Sequence, residues 1–401
     1  MKKIILIGGT AGLTANDETT PAGGEFAREL LPLFKEYLAA TSIHDAYSVN
    51  LVLTRSADTC ASIETAQDVA QWVDEIVADP DVRVLVFDVT NPAREHLHAN
   101  GPGQLLLGRV RRERKDIFVV GVDRTTGMGT GTRYAQALSL LKTNSLNLVL
   151  AYDSVPGHYL IAAPEETRYG STSQREFALA FLTRMTVSRM QNRFTRSTVV
   201  PGDAVEWTSD AVPANLREVV DHCIKAGAYK PVLGKTAGHF AVKAGDGELL
   251  TSIRKTNFNQ LKEVGLVRIV STSEDEVIAH GFRPSVGGQS QRIIFGEHPR
   301  LDCIVHFHCP MRDDAPLRAE IPVKEQWPNE CGSHECGRAT SRGLAEVDLG
   351  DGDSLSVVYL DAHGPNIVFN RSTPADKIRT FIDANFDLGA KTGGIAATRA
   401  H

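Results

Sequence analysis

The stretch Leu301-Asp302-Cys303-Ile304-Val305-His306-Phe307-His308-Cys309-Pro310 decides the reading of this chain. Its β-branched core predicts a strand, and two imidazoles stand two residues apart at the end of it. In a strand, positions i and i+2 point to the same face, so His306 and His308 can grip one ion together. Downstream, Ser356-Val357-Val358-Tyr359-Leu360-Asp361-Ala362-His363-Gly364 is another strand-like run that ends in a histidine, here followed by a glycine able to turn the backbone. Three imidazoles with an open fourth position suit a catalytic divalent cation. The plainer reading of an isolated His-x-His pair is a strand end that packs or hydrogen-bonds, since neutral histidine serves equally as ligand and as structural donor.

The neighbouring segments resemble a known family. Thr236-Ala237-Gly238-His239-Phe240-Ala241-Val242-Lys243, followed by Gly247 to Ser252, is similar to the glycine turn, strand and Thr/Ser-rich loop that open the class II aldolase/adducin family. Arg283-Pro284-Ser285 stands where that family has a Pro-Ser dipeptide, and Pro299 to His308 resembles its Pro-Asp…His-x-His segment. Gly332-Ser333-His334-Glu335 and Leu360-Asp361-Ala362-His363-Gly364 resemble two further motifs, in the family's order. The resemblance runs from about residue 215 to 390 and implies an α/β/α domain over 215–401. It also implies zinc, or another divalent transition metal, held by His306, His308 and His363. Substrate would lie against Gly238, Thr251, Ser252 and Ser285, and the chain would form a homo-oligomer, a tetramer or a dimer.

In the aldolases of this family the metal polarises carbonyl and hydroxyl oxygens of a ketose. The chain departs from them after the Pro-Ser dipeptide, where Val286-Gly287-Gly288-Gln289 lacks the acid/base glutamate. It also carries His239 where an asparagine is expected. His239 is therefore the candidate acid/base, or a fourth ligand. Arg254 and Lys255, close to the glycine turn, are candidates for holding a phosphate or carboxylate, which points to an anionic small-molecule substrate.

A chain of 401 residues exceeds one ordinary core, so two domains are expected. With 42% hydrophobic and 23% charged residues it has the composition of a globular protein. A net charge of −6 argues against a nucleic-acid-binding surface. There is no apolar run of about 18 residues, and Met1-Lys2-Lys3 leads directly into a strand, so neither membrane span nor signal peptide is read and a cytoplasmic location is expected. Cysteines stand at Cys60, Cys223, Cys303, Cys309, Cys331 and Cys336 without a Cys-x-x-Cys pair, which suits idle thiols in a reducing compartment. Two alternatives stand among them: a second metal site within Asn329 to Cys336, where Ser333 otherwise reads as a helix N-cap, and Cys309 facing the cavity of the first.

The first half reads differently. Lys3-Ile4-Ile5-Leu6-Ile7-Gly8-Gly9-Thr10 is a short buried strand ending in glycines, and Glu25 to Phe34 has helical periodicity. Further strands are expected at Ser48 to Leu53, Val82 to Asp88, Ile117 to Asp123 and Leu146 to Tyr152, alternating with helices. That alternation makes a Rossmann-like parallel sheet with ligands outside the carboxyl ends of its strands. Residues 1–195 resemble phosphopantothenoylcysteine synthetase, of the DNA/pantothenate metabolism flavoprotein-like family, through Gly8-Gly9-Thr10, Ile63 to Val69 and Tyr134 to Val155. The resemblance implies a nucleotide, CTP or ATP, on Gly8, Gly9 and Thr10, with Lys142 at its phosphates. Residues 196–214 lack periodicity and read as a linker.

Three functions follow as expectations. The first is a two-domain metabolic enzyme with a metal-dependent lyase or isomerase, aldolase- or epimerase-like, acting on a small phosphorylated hydroxy-carbonyl compound. The second is an adducin-like binding or scaffold protein that has lost the chemistry. The third is a nucleotide-dependent ligase with a regulatory metal domain.

Overall fold

The computed structural model describes residues 1–9, 25–54, 73–89, 102–125, 127–153 and 157–392. The chain divides into two compact units, with the break between Gln191 and Asn192.

In the first unit, seven strands form one sheet: β1 (Lys2–Gly9), β2 (Tyr47–Thr54), β3 (Val82–Val89), β4 (Phe118–Arg124), β5 (Leu148–Asp153), β6 (His158–Ala162) and β7 (Arg168–Thr172). Their order is β2-β1-β3-β4-β5-β6-β7. The first five are parallel, and β6 and β7 extend the sheet as an antiparallel hairpin. Continuous apolar runs such as Leu148-Val149-Leu150-Ala151 are fully buried, as expected of parallel strands covered on both faces. Helix Glu25–Ala40 repeats Phe26, Leu30, Phe34 and Leu38 every fourth residue and buries all four, against β1 and β2 among others. Each such side chain contributes roughly 1.5–3 kcal/mol.

The hairpin carries the costly part of this unit. Glu165, in its turn, meets Arg189 at 2.5 Å with both side chains wholly buried, and the Tyr169 hydroxyl donates to the same carboxylate at 2.8 Å. The adjacent Glu166, at φ +60°, pairs with Lys142 of helix Thr130–Asn144.

The second unit is built on ten strands: β8 (Arg196–Val200), β9 (His239–Gly245), β10 (Glu248–Ser252), β11 (Leu266–Ser271), β12 (Glu276–His280), β13 (Cys303–His306), β14 (Val323–Lys324), β15 (Ala345–Gly350), β16 (Asp353–Leu360) and β17 (Gly364–Phe369). The order is β14-β16-β17-β13-β9-β10-β11-β12-β8, with β15 beside β16. The pairing is antiparallel except at β12–β8 and β14–β16. Alternation sorts the side chains to two faces. Cys303, Val305 and Phe307 join Val219, Val220, Ile378 and Phe381 of helices Ala214–Lys225 and Ala375–Asn385. Ile304, Ala241 and Ile253 join Ile294 and Phe295 of helix Val286–Glu297 on the other face. The unit is thus an α/β/α layer structure, and the chain as a whole has the mixed α/β class that the sequence implies.

The stretch expected as a linker, 196–214, is instead part of this unit. Arg196–Val200 is β8, an edge strand parallel to β12. Trp207 is buried against Phe240 at 5.5 Å between ring centroids. The strand escapes sequence reading because it is exposed or half-exposed along its length, so backbone pairing alone defines it and no hydrophobic period marks it.

Replacing Arg189 with methionine leaves Glu165 buried without its counter-charge and is expected to destabilise the first unit by about 3–5 kcal/mol. Urea unfolding measures this, and the double change Glu165→Leu with Arg189→Met should recover most of the loss. A single variant as stable as wild type would show that the pair is dispensable.

Candidate metal centre

Strand β13 ends at His306, and the chain continues extended through Phe307 to His308. Strand β16 ends at Leu360, where the amide of His363 donates to the Leu360 carbonyl at 2.9 Å and closes a tight turn. Gly364 then opens β17 at φ +142°, and a Cβ on it would lie 2.1 Å from the Phe307 carbonyl oxygen. Only glycine permits that approach, and the approach brings His363 onto the other two imidazoles.

His306 Nε2 lies 3.2 Å from His363 Nε2, which lies 3.0 Å from His308 Nε2. All three residues are buried, and candidate ligand atoms from the three lie within 4.8 Å of one another. A tetrahedral ion bound at roughly 2.0–2.1 Å would hold such nitrogens roughly 3.3 Å apart, and the two separations at His363 Nε2 come close to that. His306 Nδ1 donates to the Pro365 carbonyl at 2.7 Å, which places its proton on Nδ1 and leaves Nε2 free to coordinate. Burial pushes the His306 imidazole down to about 4, against the opposing pull of that carbonyl, so the ring is neutral as a ligand must be. Neutral imidazoles suit zinc, copper, iron or nickel better than calcium or magnesium.

His239 opens β9 directly opposite His306, with ring centroids 4.8 Å apart. Its pKa is held well below the ordinary value by burial, with His306 adding a smaller push in the same direction. Gln291, wholly buried in helix Val286–Glu297, hydrogen-bonds His239 Nδ1, while its own Oε1 accepts from Thr251 Oγ1 at 3.3 Å. With the Gln291 amide nitrogen facing His239, Nδ1 accepts and Nε2 carries the proton. Sequence reading missed Gln291. The available signal was local: Gln291 is a polar residue in the helix that follows Pro284-Ser285, one turn after Gly287.

The remaining candidates divide. Gly238, at φ +107°, lies under β13, where a Cβ would meet the His306 carbonyl oxygen at 2.6 Å, so its evident role is close strand approach. Thr251 and Ser252 are buried in β10, and the Ser285 amide at the N-cap of helix Val286–Glu297 donates to the Ser252 carbonyl at 2.8 Å. Arg254 and Lys255 follow on an exposed turn, where the Arg254 amide donates to the Arg283 carbonyl at 2.9 Å. Burial first and then its cationic neighbours Arg254, Lys235 and Arg283 lower the Lys255 pKa. Though its tip is exposed, the protein packed around the Arg254 side chain and then Arg283 lower its pKa, with Glu330 pulling the other way. None of these four cations makes an ion pair with a described residue.

Of the two alternatives among the cysteines, neither is realised, and Ser333 is the helix N-cap that the sequence suggests. Cys309 does not face the histidines: its Sγ lies 3.8 Å from the Ala228 carbonyl oxygen on the opposite side of the sheet, and burial pushes the thiol up to about 12. Alternation requires this, because the residue after an inward His308 must point away from it. Nor do Asn329 to Cys336 assemble a second metal site. Ser333 is the N-cap, accepting from the Cys336 amide at 3.0 Å, and His334 Nε2 meets Thr195 Oγ1 at 2.9 Å. Among the described residues, His306, His308 and His363 form the one group placed to hold an ion.

In the first unit, Gly8 and Gly9 end β1 at the carboxyl edge of the sheet, and Thr10 lies outside the described residues. Lys142 does not join them. It belongs to the last turn of the helix that runs back from β4 to the start of β5, so it sits at the opposite, amino edge, held by Glu166.

No protein-family model and no curated protein matches this chain. Solved structures of both expected kinds are similar at low identity. The DNA/pantothenate metabolism flavoprotein from Streptococcus pneumoniae is 13% identical with a TM-score of 0.30, over 46% of this chain and 97% of that one. L-fuculose 1-phosphate aldolase is 14% identical with a TM-score of 0.30, over 44% and 84%. YgbL from Escherichia coli, to which an aldolase, epimerase or decarboxylase activity is ascribed, is 16% identical with a TM-score of 0.30, over 42% and 84%.

Purified protein is expected to carry close to one transition-metal ion per chain, and the double change His306→Ala with His308→Ala to remove it. Elemental analysis finding equal metal in both proteins would refute the assignment.

Proposed function

We propose that the second unit is a divalent-metal-dependent lyase or isomerase, aldolase- or epimerase-like, acting on a small phosphorylated hydroxy-carbonyl compound. The observation that carries this reading is the convergence of three buried imidazoles, with His363 Nε2 3.2 Å from His306 Nε2 and 3.0 Å from His308 Nε2. Bound there, zinc supplies a Lewis acid that polarises substrate oxygens.

The chain's own residues supply the rest. His239, packed on His306 and held by Gln291, keeps its proton at Nε2 and exchanges it with substrate, the role a glutamate fills in the aldolases. Arg254 and Lys255, with Lys235 and Arg283 beside them, attract the anionic end of the substrate, and the N-terminus of helix Val286–Glu297 at Ser285 favours negative charge in the same region. Assembly into a homo-oligomer and a cytoplasmic location belong to the same proposal. Among the described residues, no helix is long and apolar enough to cross a membrane.

Metal-loaded protein should cleave or epimerise a member of a panel of phosphorylated ketoses and hydroxy-aldehydes, and His239→Ala should slow that turnover roughly 10²-fold with metal content unchanged. Turnover that survives complete metal removal would exclude this mechanism. Metal retention without turnover of any panel member would favour the binding or scaffold reading, for which the missing carboxylate at Gly287 already argues.

For the first unit the proposal is nucleotide binding, CTP or ATP, outside the carboxyl ends of the parallel strands, where Gly8 and Gly9 lie. Calorimetry on the full chain should detect one of the two at millimolar concentration, and Lys142→Ala should leave that affinity unchanged while lowering stability. Heat of binding abolished by Lys142→Ala would contradict the placement of that lysine at the far edge.

A further inference from the structure

The segment that follows helix Ala375–Asn385 does not lead away from the metal centre but across it. The Asp387 amide donates to the Pro310 carbonyl at 3.0 Å, and Phe386 bridges to Met311, so the segment is tied to the loop that leaves His308. Lys391, buried, donates from Nζ to the Lys230 carbonyl at 3.2 Å. Thr392 then does something more specific. Its amide donates to the main-chain carbonyl of His308 at 3.0 Å, and its Oγ1 donates to the main-chain carbonyl of His363 at 2.8 Å. Thr392 is itself buried.

His308 and His363 come from different parts of the chain, the first from the loop after β13 and the second from the turn between β16 and β17. Each ring is aimed by the orientation of its own peptide unit, and Thr392 holds one peptide of each at the same time. His306 is held independently, through Nδ1 to Pro365 and through its carbonyl to the Tyr229 hydroxyl at 3.3 Å. Contacts one step removed from a metal restrict its ligands to one geometry, and losing one typically costs about 10–100-fold in affinity.

We infer that Thr392 is a positioning residue of the metal centre: through its two main-chain hydrogen bonds it locks the His308 and His363 loops together in the spacing one ion requires. This rests on the metal reading of the three histidines. Its prediction concerns the hydroxyl in particular, since valine has nearly the same shape and keeps the amide bond to His308 while losing the bond to His363.

The test uses the full chain, stripped of metal and titrated with zinc in competition with a chromophoric chelator. Wild type should bind one zinc, Thr392→Val should bind it roughly tenfold or more weakly, and Thr392→Ser, which keeps the hydroxyl, should restore wild-type affinity. All three metal-free proteins should be fully folded at the temperature of the titration, the variants melting a little lower for the lost buried hydrogen bond or methyl. Equal affinity in wild type and Thr392→Val overturns the inference. So does a loss shared by Thr392→Ser, or one that unfolding of the metal-free variant at the titration temperature accounts for. Failure of wild type itself to bind zinc is a distinct result, and it sinks the metal reading together with the inference.

Discussion

The candidate centre of the second unit depends on one close approach. Where β16 turns into β17, Gly364 brings the backbone so near the Phe307 carbonyl that a single added carbon would lie 2.1 Å from it. Sheet pairing alone aligns β13 with β17, residue against residue from Cys303–Phe369 to His306–Asn366. It does not by itself carry the turn over the end of β13. The missing side chain does, and it converts two separate strand ends into one cluster of three nitrogens. Gly238 does the same from the other side, where β9 passes under the His306 carbonyl.

Once those approaches are made, alternation along the strands distributes the chemistry. The face that holds Ile304 also holds His306, His239 and the Gln291 amide, while Phe307 and Cys309 are committed to the opposite core. Neighbours in sequence are thus divided between a metal centre and an apolar layer, and neither layer can shift by one residue without exchanging their roles. The buried surroundings then keep His239 and His306 neutral, because a charged ring there would lose its hydration without a counter-charge.

The first unit solves a different problem. Its parallel strands read as unbroken apolar runs, but the hairpin that completes the sheet brings two adjacent glutamates into the interior. Each is matched by a cation from a helix, Arg189 for Glu165 and Lys142 for Glu166. Burial of unmatched carboxylates would cost several kcal/mol, so these pairs constrain which hairpin conformation is compatible with a folded unit.

The sequence by itself determined the parallel sheet of the first unit, because period, glycine ends and strand–helix alternation are local properties of the chain. It also determined that His306 and His308 share a face, which follows from the two-residue repeat of any strand. Where pattern was absent it was silent: β8 pairs through its backbone at an exposed edge, and the β6–β7 hairpin buries charges that composition assigns to the surface. Tertiary structure alone decided that Lys142 lies at the amino edge beside Glu166, away from Gly8 and Gly9, because a helix returning from one strand to the next carries its last turn to the other end of the sheet. It alone decided that Gln291 reaches His239 and that Thr392 spans His308 and His363. Those contacts join residues 52, 84 and 29 positions apart in the chain, and only the packing of sheet, helix and terminal segment sets such distances.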